Sequence, residues 1–228
     1  MKHLKLFESH YEYESIELIC RKFDITNYTV NGDGTVDVDG NVDISYVRLT
    51  KLPLKFGKVT GNFNCHFNKL NSLEGSPIEV GGNFYCPNNK LTTLEGAPSY
   101  VGGNFWCPNN KLTTLEGAPS YVGGIFNCTD NKLTTLEGAP KEVGGSFWCE
   151  NNQLTTLEGA PRELGGNFDC SDNPIHNVYK LFPDYKSFMD SLDYDYLRGT
   201  SIIKWKLQEA LDEAGIKMPE SIPGYKYI

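Results

Sequence analysis

Six cysteines, Cys65, Cys86, Cys107, Cys128, Cys149 and Cys170, stand 21 residues apart along the chain. A constant period of this size marks repeated supersecondary units, each too small to bury its own apolar face and stable only when stacked on its neighbours. The flanking residues keep the register. The unit over 105–125 reads Phe-Trp-Cys-Pro-Asn-Asn-Lys-Leu-Thr-Thr-Leu-Glu-Gly-Ala-Pro-Ser-Tyr-Val-Gly-Gly-Ile, and near copies lie on both sides. One more unit lies upstream, where Val42, Ile44, Leu49 and Leu52 precede Phe63, Cys65, Leu70 and Leu73 by the same 21 residues. The spacing predicts an array over 42–175 with a parallel sheet of about seven strands.

Within a unit, Phe-x-Cys alternates as a short strand does, so Phe84 and Cys86 face one side and Tyr85 the other. Asn89, Asn110, Asn131, Asn152 and Asn173 follow at a bend, where an amide satisfies backbone groups that the turning chain leaves unpaired. Leucines three apart, such as Leu91 and Leu94, return the chain over the core. Glu-Gly-Ala-Pro and Val-Gly-Gly then close the unit, with glycines taking conformations that a Cβ resists. Stacking places Phe on Phe, Cys on Cys and Leu on Leu. The cysteines therefore read as small interior fillers and not as a disulfide framework or a metal cage, because parallel side chains in a line do not surround an ion.

The pattern Phe-x-Cys-x-x-Asn-x-Leu-x-x-Leu resembles the leucine-rich-repeat consensus, with Phe and Cys at two positions that are usually aliphatic. The short units of bacterial effector leucine-rich repeats look similar, and this array departs from them in its Gly-Gly element. The recurrent Asn-Lys-Leu-Thr-Thr-Leu-Glu-Gly-Ala-Pro and the ending Ser221-Ile222-Pro223-Gly224-Tyr225-Lys226-Tyr227 resemble leucine-rich-repeat proteins encoded by tailed bacteriophages. The resemblance implies an α/β repeat fold, a short leucine-rich-repeat solenoid, and a phage source. It implies no activity.

A stacked array exposes its core at both ends, so atypical capping segments are expected. Upstream, Ile16, Ile19, Cys20 and Phe23 have the spacing of one helix face. A hairpin follows, with Tyr28-Thr29-Val30 and Val36-Asp37-Val38 joined through Asn31-Gly32-Asp33-Gly34. Downstream, Tyr185, Phe188, Met189 and Leu192 form a helical stripe begun by Pro183-Asp184, and a second helix spans roughly 202–214 with Gly215 as its stop. The expected division is an N-terminal helix-plus-hairpin cap over 1–41, the solenoid over 42–175 and a C-terminal helical cap over 176–228.

The formal charge of −8, from 29 acidic and 21 basic residues, disfavours non-specific attraction to nucleic acid or to an anionic membrane. No run approaches the ~18 apolar residues of a membrane span. A glutamate at position 8 interrupts the N-terminal segment before an export signal could form. The expected setting is the cytoplasm, that of the host cell if the source is a phage.

Catalytic and metal chemistry finds little footing. The segment 31–40 looks like a calcium loop, but with Gly40 as the central glycine the loop begins at Thr35 and reaches Tyr46 where a bidentate Glu is required. His3, His10, His66 and His176 are scattered, with no spacing that assembles a nucleophile–base pair or a zinc site. Gly-Gly recurs as a structural element, not as a phosphate loop. Lys69, Lys90, Lys111 and Lys132 form a stacked row, as do Glu74, Glu95, Glu116, Glu137 and Glu158. Such rows are ordinarily solvated faces, and an anionic ligand on the lysines is the lesser alternative. No catalytic residue, metal or cofactor is expected.

The informative positions are those that vary between near-identical units, because packing does not dictate them. The central strand position reads Asn64, Tyr85, Trp106, Asn127, Trp148, Asp169. Alternation points these side chains outward, onto the concave sheet. Exposed aromatics in a row are a binding signature. The next outward row, His66, Pro87, Pro108, Thr129, Glu150, Ser171, turns acidic near Glu150, Asp169 and Asp172. The sequence therefore predicts a non-catalytic module that binds a partner protein, such as a host defence factor. The predicted contact residues are Asn64, Tyr85, Trp106, Asn127, Trp148, Glu150 and Asp169. A small-ligand, nucleotide or glycan binder on the same face and a virion component are the alternatives.

Overall fold

The structure, a computed structural model, describes residues 16–228. Its centre is an α/β arrangement with two seven-stranded sheets and few helices. One sheet is parallel throughout. It contains Val42–Asp43, Phe63–Asn64, Phe84–Tyr85, Phe105–Trp106, Phe126–Asn127, Phe147–Trp148 and Phe168–Asp169, each paired with its equivalent 21 residues on. These are the strands that the Phe-x-Cys alternation predicts.

The second sheet was not predicted. It contains Phe56–Val59, Glu79–Val80, Tyr100–Val101, Tyr121–Val122 and Glu142–Val143 in parallel, preceded by Val36–Val38 and the antiparallel edge strand Tyr28–Val30. Val-Gly-Gly is thus not simply a closing turn, since its valine ends a strand. The paired glycines are also there for a different reason from the one expected. Their φ is not positive. A Cβ on Gly123 would lie 2.1 Å from the carbonyl oxygen of Gly102, so it is the close approach of neighbouring units that demands glycine. The glycine of Glu-Gly-Ala-Pro does take the predicted role, with Gly117 at φ +85°.

The interior repeats in register. Phe63, Phe84, Phe105, Phe126, Phe147 and Phe168 stack with ring centroids 5.1–5.8 Å apart. All but the last are fully buried. Such side chains each stabilise by about 1.5–3 kcal/mol. The six repeat cysteines, free and fully buried, form a second column. Several thiols lie against a carbonyl of the next unit, as Cys107 Sγ does against Asn127 O at 3.2 Å. The bend asparagines form a third column. Asn110 Nδ2 donates to the carbonyls of Cys86 and Cys107, both at 3.1 Å, and its Oδ1 accepts from Leu91 N at 3.1 Å. One amide therefore ties together two units, and Asn68, Asn89, Asn131, Asn152 and Asn173 do the same.

The flanking segments take largely the predicted elements. Residues 16–22 are helical, and the hairpin turns at 31–34, with Asp33 accepting from Thr35 N at 3.0 Å and from its hydroxyl at 2.7 Å. That carboxylate closes the turn. The part of the N-terminal division before residue 16 lies outside the described residues. At the other end, the helix Tyr185–Ser191 is capped by Asp184, whose Oδ1 accepts from Ser187 N at 2.7 Å, and Lys204–Glu213 forms the last helix. A short helix, His176–Tyr179, and a three-stranded sheet of Leu197–Arg198, Ser201–Ile202 and Lys226–Tyr227 were not foreseen. Among the described residues no helix is long and apolar enough to cross a membrane.

Candidate functional site

On the parallel sheet, the side chains opposite the buried Phe column lie in one strip across the strands. Trp106 pairs with Asn127, and Asn127 with Trp148. Two strand spacings separate the tryptophan backbones by about 10 Å, yet the indole centroids are 5.8 Å apart with the rings edge to face. The rings therefore lean toward each other across Asn127. Tyr85 continues the strip, its ring 6.5 Å from that of Trp106. Tyr85, Trp106 and Trp148 are all half-buried.

Asn127 corrects the sequence reading. It was expected to face outward as a contact residue, but only 5% of it is exposed. The neighbouring indoles cover it, and its Oδ1 is occupied by Thr129 N at 3.0 Å. Alternation gives the direction of a side chain and not the reach of its larger neighbours.

The remaining predicted contact residues are half-buried. Asn64 donates to Asp43 Oδ2 at 3.3 Å and also meets the His66 ring. Asp169 Oδ1 accepts from Ser171 N at 2.9 Å. Glu150 has no such partner for Oε2, which is buried without a hydrogen bond, as is Trp106 Nε1. Burial pushes the Glu150 carboxyl above the usual carboxylate range, and the charges of Asp169, Asp130 and Asp172 push it the same way.

The structure also brings together residues that the sequence reading had kept apart. Cys170 Sγ lies 3.9 Å from His176 Nδ1. A nucleophilic thiol requires a lowered pKa. Here burial, with the charge of Asp169 adding to it, pushes the thiol up to about 12. The pair is a packing contact. Among the described residues no group of three or more His, Cys, Asp or Glu is arranged to hold a metal.

Two aromatic clusters were missed. Tyr46 and Phe67 stack face to face at 4.8 Å, with the His66 ring set edge-on against both. They are 66% and 46% exposed. They sit 21 residues apart, at the two positions that precede the Asn/Asp pattern seen at 88, 109, 130, 151 and 172, and that break in the column was the available signal. On the second sheet, Tyr100 stacks on Tyr121 at 5.1 Å. Its signal was the alternation Ser99-Tyr100-Val101, hidden because Val-Gly-Gly was read as a turn. Clefts of ≈ 800 and ≈ 820 Å³ open at the end of the second sheet and under the helix Tyr185–Ser191. Neither includes Trp106 or Trp148.

The rows of Lys69, Lys90, Lys111 and Lys132 and of Glu74, Glu95, Glu116, Glu137 and Glu158 are solvent-exposed. Comparison of the chain with protein-family models, with curated proteins and with solved structures finds no match.

Proposed function

We propose that the chain is a short leucine-rich-repeat solenoid acting as a non-catalytic protein-interaction module, which grips its partner with the strip centred on Tyr85, Trp106 and Trp148. The end segments serve as caps. In support, the hairpin Tyr28–Val30/Val36–Val38 pairs onto Phe56–Val59 at one end of the second sheet, and Tyr185 covers Phe168 at 4.4 Å at the end of the phenylalanine column, so each end of the array meets a residue from a flanking segment. The proposed division is a cap over 1–41, the solenoid over 42–175 and a cap over 176–228.

One observation carries the binding reading. Beneath the strip every unit is the same, and on it two indoles meet in a half-exposed pair that the packing of the units does not require. Large aromatics in such positions anchor protein partners. The burial of Asn127 removes the amide between the two indoles from the groups that could bond a sugar hydroxyl, which favours the protein reading over the sugar one. The resemblance to phage proteins directs the search to host proteins, with defence factors first, and to the host cytoplasm.

The test is the double variant W106A/W148A. It forfeits the partial burial of two half-exposed indoles and about 0.5–1.5 kcal/mol for their edge-to-face contact, but it leaves the Phe, Cys and Asn columns intact and should fold. It should fail to retain any protein that the wild type captures from a host lysate. Equal capture by both would place the partner elsewhere, and a variant that no longer melts cooperatively would make the indoles structural.

A further inference from the structure

Three buried side-chain polar atoms among the described residues have no hydrogen-bond partner, and two of them are Trp106 Nε1, on the aromatic strip, and Glu150 Oε2, in the row beside it. Leaving such groups unpaired is costly in a folded chain. One is a donor and the other an acceptor. A ligand that offers both a cation and a carbonyl would satisfy them together.

The charge around Glu150 has the same one-sided character. Asp130, Asp169 and Asp172 surround it closely enough to disfavour its ionised form. The ion pairs among the described residues join other carboxylates, those of Glu17, Glu79, Asp193, Asp190 and Asp195, and none of these four. The lysine column that could have supplied a counter-charge ends at Lys132, since its next positions are Gln153 and Pro174. The fold therefore gathers acid beside two indoles and supplies no cation of its own.

We propose that Trp106, Trp148, Glu150 and Asp169 form a receptor for an arginine side chain presented by the protein partner. This rests on the protein-binding reading of the strip and names what that partner must carry. A guanidinium is planar and weakly hydrated, so it can lie on an indole face while its fork engages carboxylates. An ammonium matches the charge but not the plane. The backbone carbonyl of the same residue takes the indole N–H of Trp106. Reaching the two covered atoms requires side-chain rotation at the surface, the ordinary adjustment of an interface.

The experiment uses the full chain with Trp205→Phe, which removes the exposed tryptophan of the last helix and leaves Trp106 and Trp148 as reporters. The probes are three blocked tripeptides, Gly-X-Gly, with X as arginine, lysine or citrulline. Arginine should give a saturable fluorescence change with a millimolar Kd, about −4 kcal/mol by conversion. Lysine should bind several-fold more weakly, and neutral citrulline should give no saturation. Glu150→Gln should weaken the arginine probe by about tenfold. An equal response to citrulline, an unchanged affinity in Glu150→Gln, or no saturable response to arginine overturns the proposal. The protein-binding reading is judged separately by capture with W106A/W148A, so loss of capture in that variant together with any of these failures sinks the arginine receptor and leaves the docking strip standing.

Discussion

At the bend after each Phe strand, Tyr46 and Phe67 hold the same left-handed backbone as Asn88, Asn109, Asp130, Asn151 and Asp172, with φ between 50° and 58°. Asn and Asp accept that conformation readily, whereas for other side chains it costs about 1–2 kcal/mol. The opposite end of the same face bears a different burden, where Glu150 sits among Asp130, Asp169 and Asp172. One end is strained in its backbone and the other in its charge. Both stand on continuous interior columns, which supply the stability that lets the surface depart from what is locally favourable. The comparison separates what the units need in order to stack from what the face displays.

The largest effect should come from breaking what the two ends share. Asn110→Ala removes the amide that joins Cys86, Cys107 and Leu91; the two carbonyls keep Asn89 and Asn131 as donors, but the buried Leu91 N is left unpaired at a cost of about 1–3 kcal/mol. A loss of about 1–3 kcal/mol should lower Tm by about 2–12 °C in a chain of this size. A thermal melt followed by circular dichroism measures it. A loss below about 1 kcal/mol would mean that the amide column is not what holds the units together, and the shared foundation of the two ends would have to be sought in the apolar columns alone.

A smaller, paired effect tests the strained end. Phe67→Ala and Phe67→Asn both remove the stack on Tyr46, but only asparagine suits the left-handed backbone. The asparagine variant should be the more stable of the two by about 1 kcal/mol in urea unfolding. At the unstrained position, Asn109→Ala should lose a similar amount relative to wild type. Equal stability of the two Phe67 variants would remove backbone strain from the account of Tyr46 and Phe67.

The columns were legible in the sequence because period and polarity report burial directly: Phe105, Cys107, Asn110 and Leu112 recur whatever the unit displays. The second sheet was not. Its strands are two residues long in the repeats, and glycines follow them, so Tyr100-Val101-Gly102-Gly103 carries too little alternation to distinguish a strand from a turn. The glycines themselves record an approach between units, Gly102 to Gly123, and no single unit contains that information. For the site, the direction of the outward side chains could be read, but the lean of Trp106 and Trp148 over Asn127 could not. It depends on rings that reach across strands. Tyr46 and Phe67 were overlooked because they lie where the pattern fades, in the part of the array where a mismatch looks like the end of the repeat and not like a substitution within it.

The charged end should show the smallest effect, and pH isolates it. Glu150 has its carboxyl raised in the fold by burial and by its acidic neighbours, so as pH rises the unfolded chain ionises first and the folded chain resists. The folded state therefore binds more protons between the unfolded and folded values, and stability falls across that interval. Glu150→Gln removes this dependence while keeping the shape of the side chain. Its Tm should match that of the wild type near pH 4, approximately where an unperturbed glutamate begins to ionise, and should exceed it increasingly toward neutral pH. The Phe67 substitutions should keep a constant offset over the same range, since backbone strain has no proton to lose. A flat difference for Glu150→Gln would show that neither its burial nor its acidic neighbours oppose its ionisation. The face would then be strained at the Tyr46–Phe67 end only, and an approaching cation would find its attraction in the indoles more than in the carboxylates.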